Sequence, residues 1–568
     1  MNTCMKSVSK GRMMLKPLVA ALAMASLQVD AQTQQGVPNS GTILQQVQPA
    51  LPPALSTKGP TVQVAPVAKG GLSASAPFKV DTIRIVGNTA FSTETLHALV
   101  SAAEGTSMTL PQLEALAARI TAYYQRNGFP LSRAAIPVQT VAGASVTIQV
   151  LEARYGAVRV NNRSQVSNPL LEATTAALQT GQDIGERGLD RTLLLLSDIP
   201  GVGVNAILKP GTDIGTSDLD IITSHNPAAF ANLALDNAGN RYIGRTRLSG
   251  SVDLVNPLHR GDILTATVVS TGKRMKYGRM SYDTLVNGAG TRAGLAYSAV
   301  RYKLGDQVRA LDANGTADVA SAWIRHPLVR ARQANVYVEL QYDDKQLRDR
   351  IDLSGVRTDR DLTNWVLSLN GDLRDDFLGG GANRWSVSWT AGDVNFQDLT
   401  ARVADAGSAR TEGGYAKWNA NFSRIQAVTP GTMFYLNLAG QWSDANLDSA
   451  EKLSIGGPYT MRAYDIGALS ADTGYFATVE LRHDLGLLAA GRWEATAFVE
   501  SVRTRINRDA WSRGDNRATL SGAGIGLSWV GPDGWRASLS AATPIGGKSP
   551  LVAPQASVRT WFVASKAY

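Results

Sequence analysis

The sequence predicts a β-rich chain, a transmembrane antiparallel β-barrel of about 16 strands preceded by two small α+β domains. Three observations carry this. From about residue 228 onward, helical periodicity gives way to strands in which apolar and polar residues alternate. Residues 77 to 225 hold two segments with the same order of elements. The N-terminus shows the charged, apolar and small parts of an export signal in that order.

The export signal is read over residues 1–31. Lys6, Lys10, Arg12 and Lys16 precede the apolar run PLVAALAMASLQV, and Ala31 supplies a small residue at the cleavage point. A short core helix would need polar positions at helical spacing, which this run lacks. The single cysteine, Cys4, lies inside the signal, so catalytic thiols, CxxC redox chemistry and Cys-ligated metals are excluded from the mature chain. Loss of the signal lowers the net charge from +9 to about +6. No basic stripe with interleaved aromatics exists, which argues against nucleic-acid binding. Outside the N-terminus no run of about 18 apolar residues could form a membrane-spanning helix.

Residues 32–76 are rich in Gln, Pro, Ser and Gly, a linker composition. Within it, SGTILQQVQPAL can form about three turns of helix before Pro52 and Pro53, or remain unordered. The first repeat, 77–152, opens with the strand VDTIRIVGN. A helix follows with Leu96, Leu99 and Val100 on one face, then a second helix from Thr109 with Pro111 just inside it. That helix stops at Asn127-Gly128, and the strands SRAAIPVQTV and SVTIQVLEA complete the unit. The second repeat, 153–226, runs through GAVRVNN, NPLLEATTAALQT, GERGLDRTLLLLSDIPG, VNAILKPG and SDLDIITSH. The barrel is expected over 227–568. In RLSGSVDLV, Leu248, Gly250, Val252 and Leu254 share one face, opposite Arg247, Ser249, Ser251 and Asp253. A soluble sheet also alternates, but some 340 residues of this pattern behind an export signal favour an outer-membrane barrel.

Catalytic motifs are missing. The five histidines fall in different elements without ligand spacing, and no G-x-S-x-G elbow is present. GVGVNA matches a dinucleotide fingerprint by letters, yet it follows a helix and leads into a strand, so it reads as a turn. No catalytic residue, metal or cofactor is expected.

Three blocks carry a resemblance that spans the mature chain. They are LDNAGNRYIGRTRLSGSVDLVNPLHRGDIL, HPLVRARQANVYVELQYDDKQLRD and NLDSAEKLSIGGPYTMRAYDIGALSADTGYFATVELRHDL. The chain resembles a two-partner secretion transporter, which implies a plug helix, two POTRA domains and a 16-stranded pore for one large exoprotein. The resemblance also implies that the loop between strands 11 and 12 folds back into the barrel. The family's V-R-G-Y motif stands here as Met461-Arg462-Ala463-Tyr464, after the glycine pair Gly456 and Gly457. Met for Val conserves apolar volume, whereas Ala for Gly strains the loop if that backbone has positive φ. The family's F-x-D wall motif maps to Phe498-Val499-Glu500, with Glu for Asp. Alternation in WEATAFVES independently turns Glu494, Thr496, Phe498 and Glu500 to the lumen. Arg462 is therefore expected to be a pore anchor on Glu500, the other reading being a solvated loop arginine. The implied partners are a secreted exoprotein with an N-terminal secretion domain and the lipid of the outer membrane, with the transporter a monomer. The rival classes are a barrel-assembly machine, a passive porin and a barrel hydrolase.

Overall fold

The alternating C-terminal region closes on itself. In the computed structural model, which describes residues 37–47, 59–60, 62–64, 75–140 and 143–568, sixteen antiparallel strands form a closed barrel. The first, Ala229–Asp236, pairs with the last, Arg559–Ala567. Leu248, Val252 and Leu254 are exposed on the outside, where lipid replaces water. Strands six to eight are longer than the bilayer requires. Ala313–Arg330, Ala334–Ile351 and Val356–Asp375 have 18, 18 and 20 residues, against about 10 for a crossing. The expected export signal lies outside the described residues.

Before the barrel come two α+β units. In the first, Thr82–Val86 pairs parallel with Ser145–Leu151, and Arg133–Ala135 pairs antiparallel with the same strand. Helix Leu110–Arg126 covers this sheet with Leu113, Leu116 and Ile120, which are buried together with Ile148. Its start is fixed by Pro111 in the first turn and by the Thr109 N–H, which donates to Gln112 Oε1 at 2.8 Å. Several elements differ from expectation. The preceding helix is confined to Thr93–His97. The strand expected over SRAAIPVQTV stops at Ala135, two residues before Pro137, which has no N–H for a ladder. A short pair, Phe78–Val80 with Thr106–Met108, is additional.

The second unit has strands Arg154–Arg163, Val202–Pro210 and Thr216–His225, backed by helices Asn168–Thr175 and Glu186–Ser197. Gly201 lies in the turn before Val202–Pro210 at φ +83°, so GVGVNA is a helix-to-strand turn. The linker contributes a strand of its own, Val62–Val64, which lies parallel on Ala206–Leu208. This unit sits on the barrel rim. Asp198 receives two hydrogen bonds from Arg330, at 2.6 and 2.7 Å, and Asp190 two from Arg332, at 2.8 and 2.7 Å.

The segment SGTILQQV forms helix Ser40–Val47 inside the barrel. Ile43, Leu44 and Val47 are buried among Val300, Ala317 and Leu347 of the wall. Of the three turns expected, Ser40–Val47 are described; residues 48–58 lie outside the described set.

Candidate functional site

Between the eleventh strand, Thr432–Ser443, and the twelfth, Thr473–Leu488, the chain makes a long excursion, residues 444–472. Leu453–Ile455 and Leu469–Ala471 pair to form its two-stranded stalk. The stalk bends at the glycine pair. Gly456 and Gly457 have φ of +109° and +95°. A Cβ on Gly456 would lie 1.9 Å from the Asp465 carbonyl oxygen, and one on Gly457 would lie 2.5 Å from Ile466 Cγ1. Only glycine lets the chain reverse at this point.

The tip then meets the inner wall. Met461 and Ala463 are fully buried and Tyr464 nearly so, packed with Phe476, Phe498 and Val502. Arg462 Nε donates to Glu500 Oε1 at 2.6 Å, and its backbone N–H donates to Glu500 Oε2 at 2.7 Å. Its guanidinium carbon stands 3.4 Å from the centre of the Phe498 ring. These arrangements bring Arg462, Glu500 and Phe498 together, while the Tyr464 hydroxyl donates to the Ser521 carbonyl at 3.3 Å.

Ala463 is relaxed, because it is not among the residues with positive φ. Its methyl fits because the wall opposite is Gly522, where a Cβ would come within 2.6 Å of the Ala463 Cβ. The strain anticipated for alanine at this position does not arise.

Five contacts were not anticipated from sequence. Arg462 Nη2 also donates to Glu480 Oε1 at 2.6 Å, and Glu480 is in turn paired with Arg482. Trp561 Nε1 on the last strand donates to the Arg462 carbonyl at 2.7 Å. Asp465 takes Arg245 at 2.8 Å and Arg559 at 2.7 Å. Glu480 was within reach of the alternation argument. In YFATVELRHD it shares the inward face with Phe476 and Thr478, and it stands opposite Phe498 across the ladder. Nothing local to Trp561 marks it as a partner of residue 462. Among the described residues, no group of three or more His, Cys, Asp or Glu side chains could hold a metal ion.

A closed sixteen-stranded barrel, a helix in its lumen and an inward loop whose Arg462 meets the wall define a particular architecture. Residues 215–529, more than half of the chain, match the family model for haemolysin secretion/activation protein ShlB/FhaC/HecB, and residues 78–153 match the ShlB-type POTRA domain. This chain belongs to the ShlB/FhaC/HecB family. Among curated proteins, the heme/hemopexin transporter protein HuxB of Haemophilus influenzae is 24% identical over 446 residues, 78% of this chain and 79% of that protein. The outer membrane transporter CdiB of Escherichia coli O6:K15:H31 is 24% identical over 467 residues, 79% and 76% of the two chains. The solved structure of CdiB from Escherichia coli shares the fold at a TM-score of 0.70 and 20% identity, covering 98% of this chain and all of that one. This ShlB/FhaC/HecB member is accordingly an outer-membrane barrel with POTRA structure in the periplasm.

Proposed function

We propose that this protein is the translocation pore of a two-partner secretion pair, recognising one large exoprotein of adhesin or haemolysin type and passing it outward without nucleotide hydrolysis. One observation carries the reading. The lumen of a closed barrel is filled by two tethered segments, helix Ser40–Val47 and loop 444–472, which can leave without breaking the strand ladder. On this reading the helix within 32–76 is a plug on a linker, 77–152 and 153–226 are two POTRA domains, and 227–568 is the pore, acting as a monomer in lipid. Arg462, with Tyr464 and the Gly456–Gly457 bend, fixes the loop against Glu500 and Phe498. Arg133–Ala135 is an edge strand of its sheet, which supports capture of an extended exoprotein segment by strand addition in exchange for the Ala134 N–H bond to Thr121 Oγ1. No catalytic step is assigned.

A barrel-assembly role would use a similar barrel but would act on other outer-membrane proteins. A passive porin would need neither α+β unit. The deciding experiment deletes the gene and follows two quantities, secretion of the co-encoded exoprotein and the abundance of unrelated outer-membrane barrels. Loss of secretion with normal barrels is expected. Normal secretion with depleted barrels would establish the assembly role instead.

A further inference from the structure

We infer that loop residues 448–452 form a second anchorage, separate from Arg462, whose task is to seat the plug helix and hold the pore shut. The inference rests on the reading of this chain as a secretion pore.

Eight residues of the plug are described as helix, and a helix of even about 12 residues is marginal without tertiary contacts. Its position is set by what grips it. At its N-terminus the Ser40 N–H and hydroxyl donate to the two carboxylate oxygens of Asp349, each at 2.7 Å. Arg360 ties that same carboxylate to the loop. Its Nη1 donates to Asp349 at 2.8 Å, its Nε to Asp448 at 2.6 Å and its Nη2 to Ser449 Oγ at 3.0 Å. Ser449 Oγ in turn donates to Asn39 Oδ1, just before the helix, at 3.0 Å. One turn along, Gln45 Nε2 donates to the Ala450 and Lys452 carbonyls at 2.8 and 2.7 Å. Gly41 lies flush on the loop, where a Cβ would come within 2.6 Å of Ala450 N.

The loop arm that receives these contacts is itself bolted to the wall. Glu451 is buried between Lys345 Nζ at 2.5 Å and Lys417 Nζ at 2.8 Å, and its carbonyl accepts from Lys417 and Gln441. The polarity is opposite to that at Arg462. Here loop acids meet wall bases, on strands seven (Lys345), eight (Arg360) and ten (Lys417). At the tip a loop base meets wall acids, on strands twelve (Glu480) and thirteen (Glu500). The loop thus crosses the lumen fixed at both ends, with Asp465 adding pairs to Arg245 and Arg559 beside the tip. Buried ion pairs of this kind hold register well, because removing one partner strands the other.

Single-channel KCl conductance in planar bilayers tests the assignment on the full-length protein. Glu451→Gln and Arg360→Gln should each lower the closed-to-open ratio by roughly two orders of magnitude, as expected when a buried ion pair is broken. The channel should approach the conductance of a chain lacking residues 38–51. The same substitutions placed in that plug-less chain should add nothing, whereas simple collapse of the loop would raise conductance in both backgrounds and overturn the assignment. Gln45→Ala removes two hydrogen bonds and no charge, so it decides the matter if the other variants fail to insert. It should shift the ratio about tenfold, and an unshifted ratio would overturn the proposal. Should the exoprotein prove not to be exported while these conductances behave as described, the secretion reading falls and the latch stands.

Discussion

Arg462 is held to the barrel wall by two carboxylates, an aromatic face and an indole N–H, and these contacts do not carry equal weight. Glu500 is 2% exposed, and among the described residues both of its hydrogen-bond donors belong to Arg462. Glu480 by contrast keeps Arg482. Arg462→Ala therefore strands Glu500 with only a backbone N–H, a loss on the scale of about 3–5 kcal/mol for a buried pair rather than about 0–1 for an exposed one. The variant should insert and stay heat-modifiable on gels, since Arg462 lies outside the strand ladder, yet lose most secretion. Glu500→Ala should be milder, because Glu480 still receives the guanidinium, and the double variant should be no worse than Arg462→Ala if the group acts as a unit. Additive losses in exoprotein secretion would separate them. Packing gives a second check. Gly522→Ala should press on the Ala463 methyl at a cost of about 1–3 kcal/mol and weaken secretion. Adding Ala463→Gly should restore it; an unrelieved double variant would mean that Gly522 matters for another reason. Much of this site could be read in the sequence, because a strand's period of two turns Phe498 and Glu500 inward whatever the rest does. Trp561 and Gly522 could not be read, since 99 and 59 positions separate them from their loop partners and only barrel closure brings them near.

At the scale of elements, the first α+β unit is closed by one carboxylate. Glu152 accepts from the Thr89 N–H at 2.7 Å, the Ala90 N–H at 2.8 Å, the Tyr124 hydroxyl at 2.6 Å and the Thr89 hydroxyl. It ties the turn after the first strand to the long helix and to the end of the sheet. Burial pushes its carboxyl up, but the bonds from Ala90, Thr89 and Tyr124 more than offset this and hold it below the ordinary glutamate range. A depressed folded-state pKa means that the stabilisation is complete above the unfolded value, about 4.3, and is lost as pH falls through the folded value. Glu152→Gln should destabilise the unit by about 1–3 kcal/mol at neutral pH. It should also flatten the acid limb of its unfolding curve, followed by helical circular dichroism between pH 5 and pH 2 as rough limits. An equally steep acid limb in the variant would place the titrating group elsewhere. Sequence periodicity and Pro111 marked the long helix correctly, because amphipathic spacing and an N-terminal proline are local signals. The linker strand Val62–Val64 was invisible. Three residues carry no period, and the strand exists only because the edge of Val202–Pro210 offers it a ladder.

Over the whole molecule, the arginine pairs at Asp190 and Asp198 set the second α+β unit on the barrel rim, while the plug and the loop occupy the lumen. Strand number was legible in advance, since chain length divided by the span of a strand and its connection gives it. The extra length of strands six to eight was not, because alternation continues unchanged where a strand leaves the bilayer. On the secretion reading proposed above, an exoprotein passes through this lumen once both segments yield. Ser249, on the lumenal face of the second strand near Gln46 of the plug, reports on it directly, with Val252 on the outer face as control. A photoreactive amino acid at either position would be illuminated while the co-encoded exoprotein is being exported. Position 249 should cross-link to the exoprotein in transit and to the plug when export is idle, while position 252 should capture neither. Active secretion without any exoprotein adduct at position 249 would contradict passage through the pore.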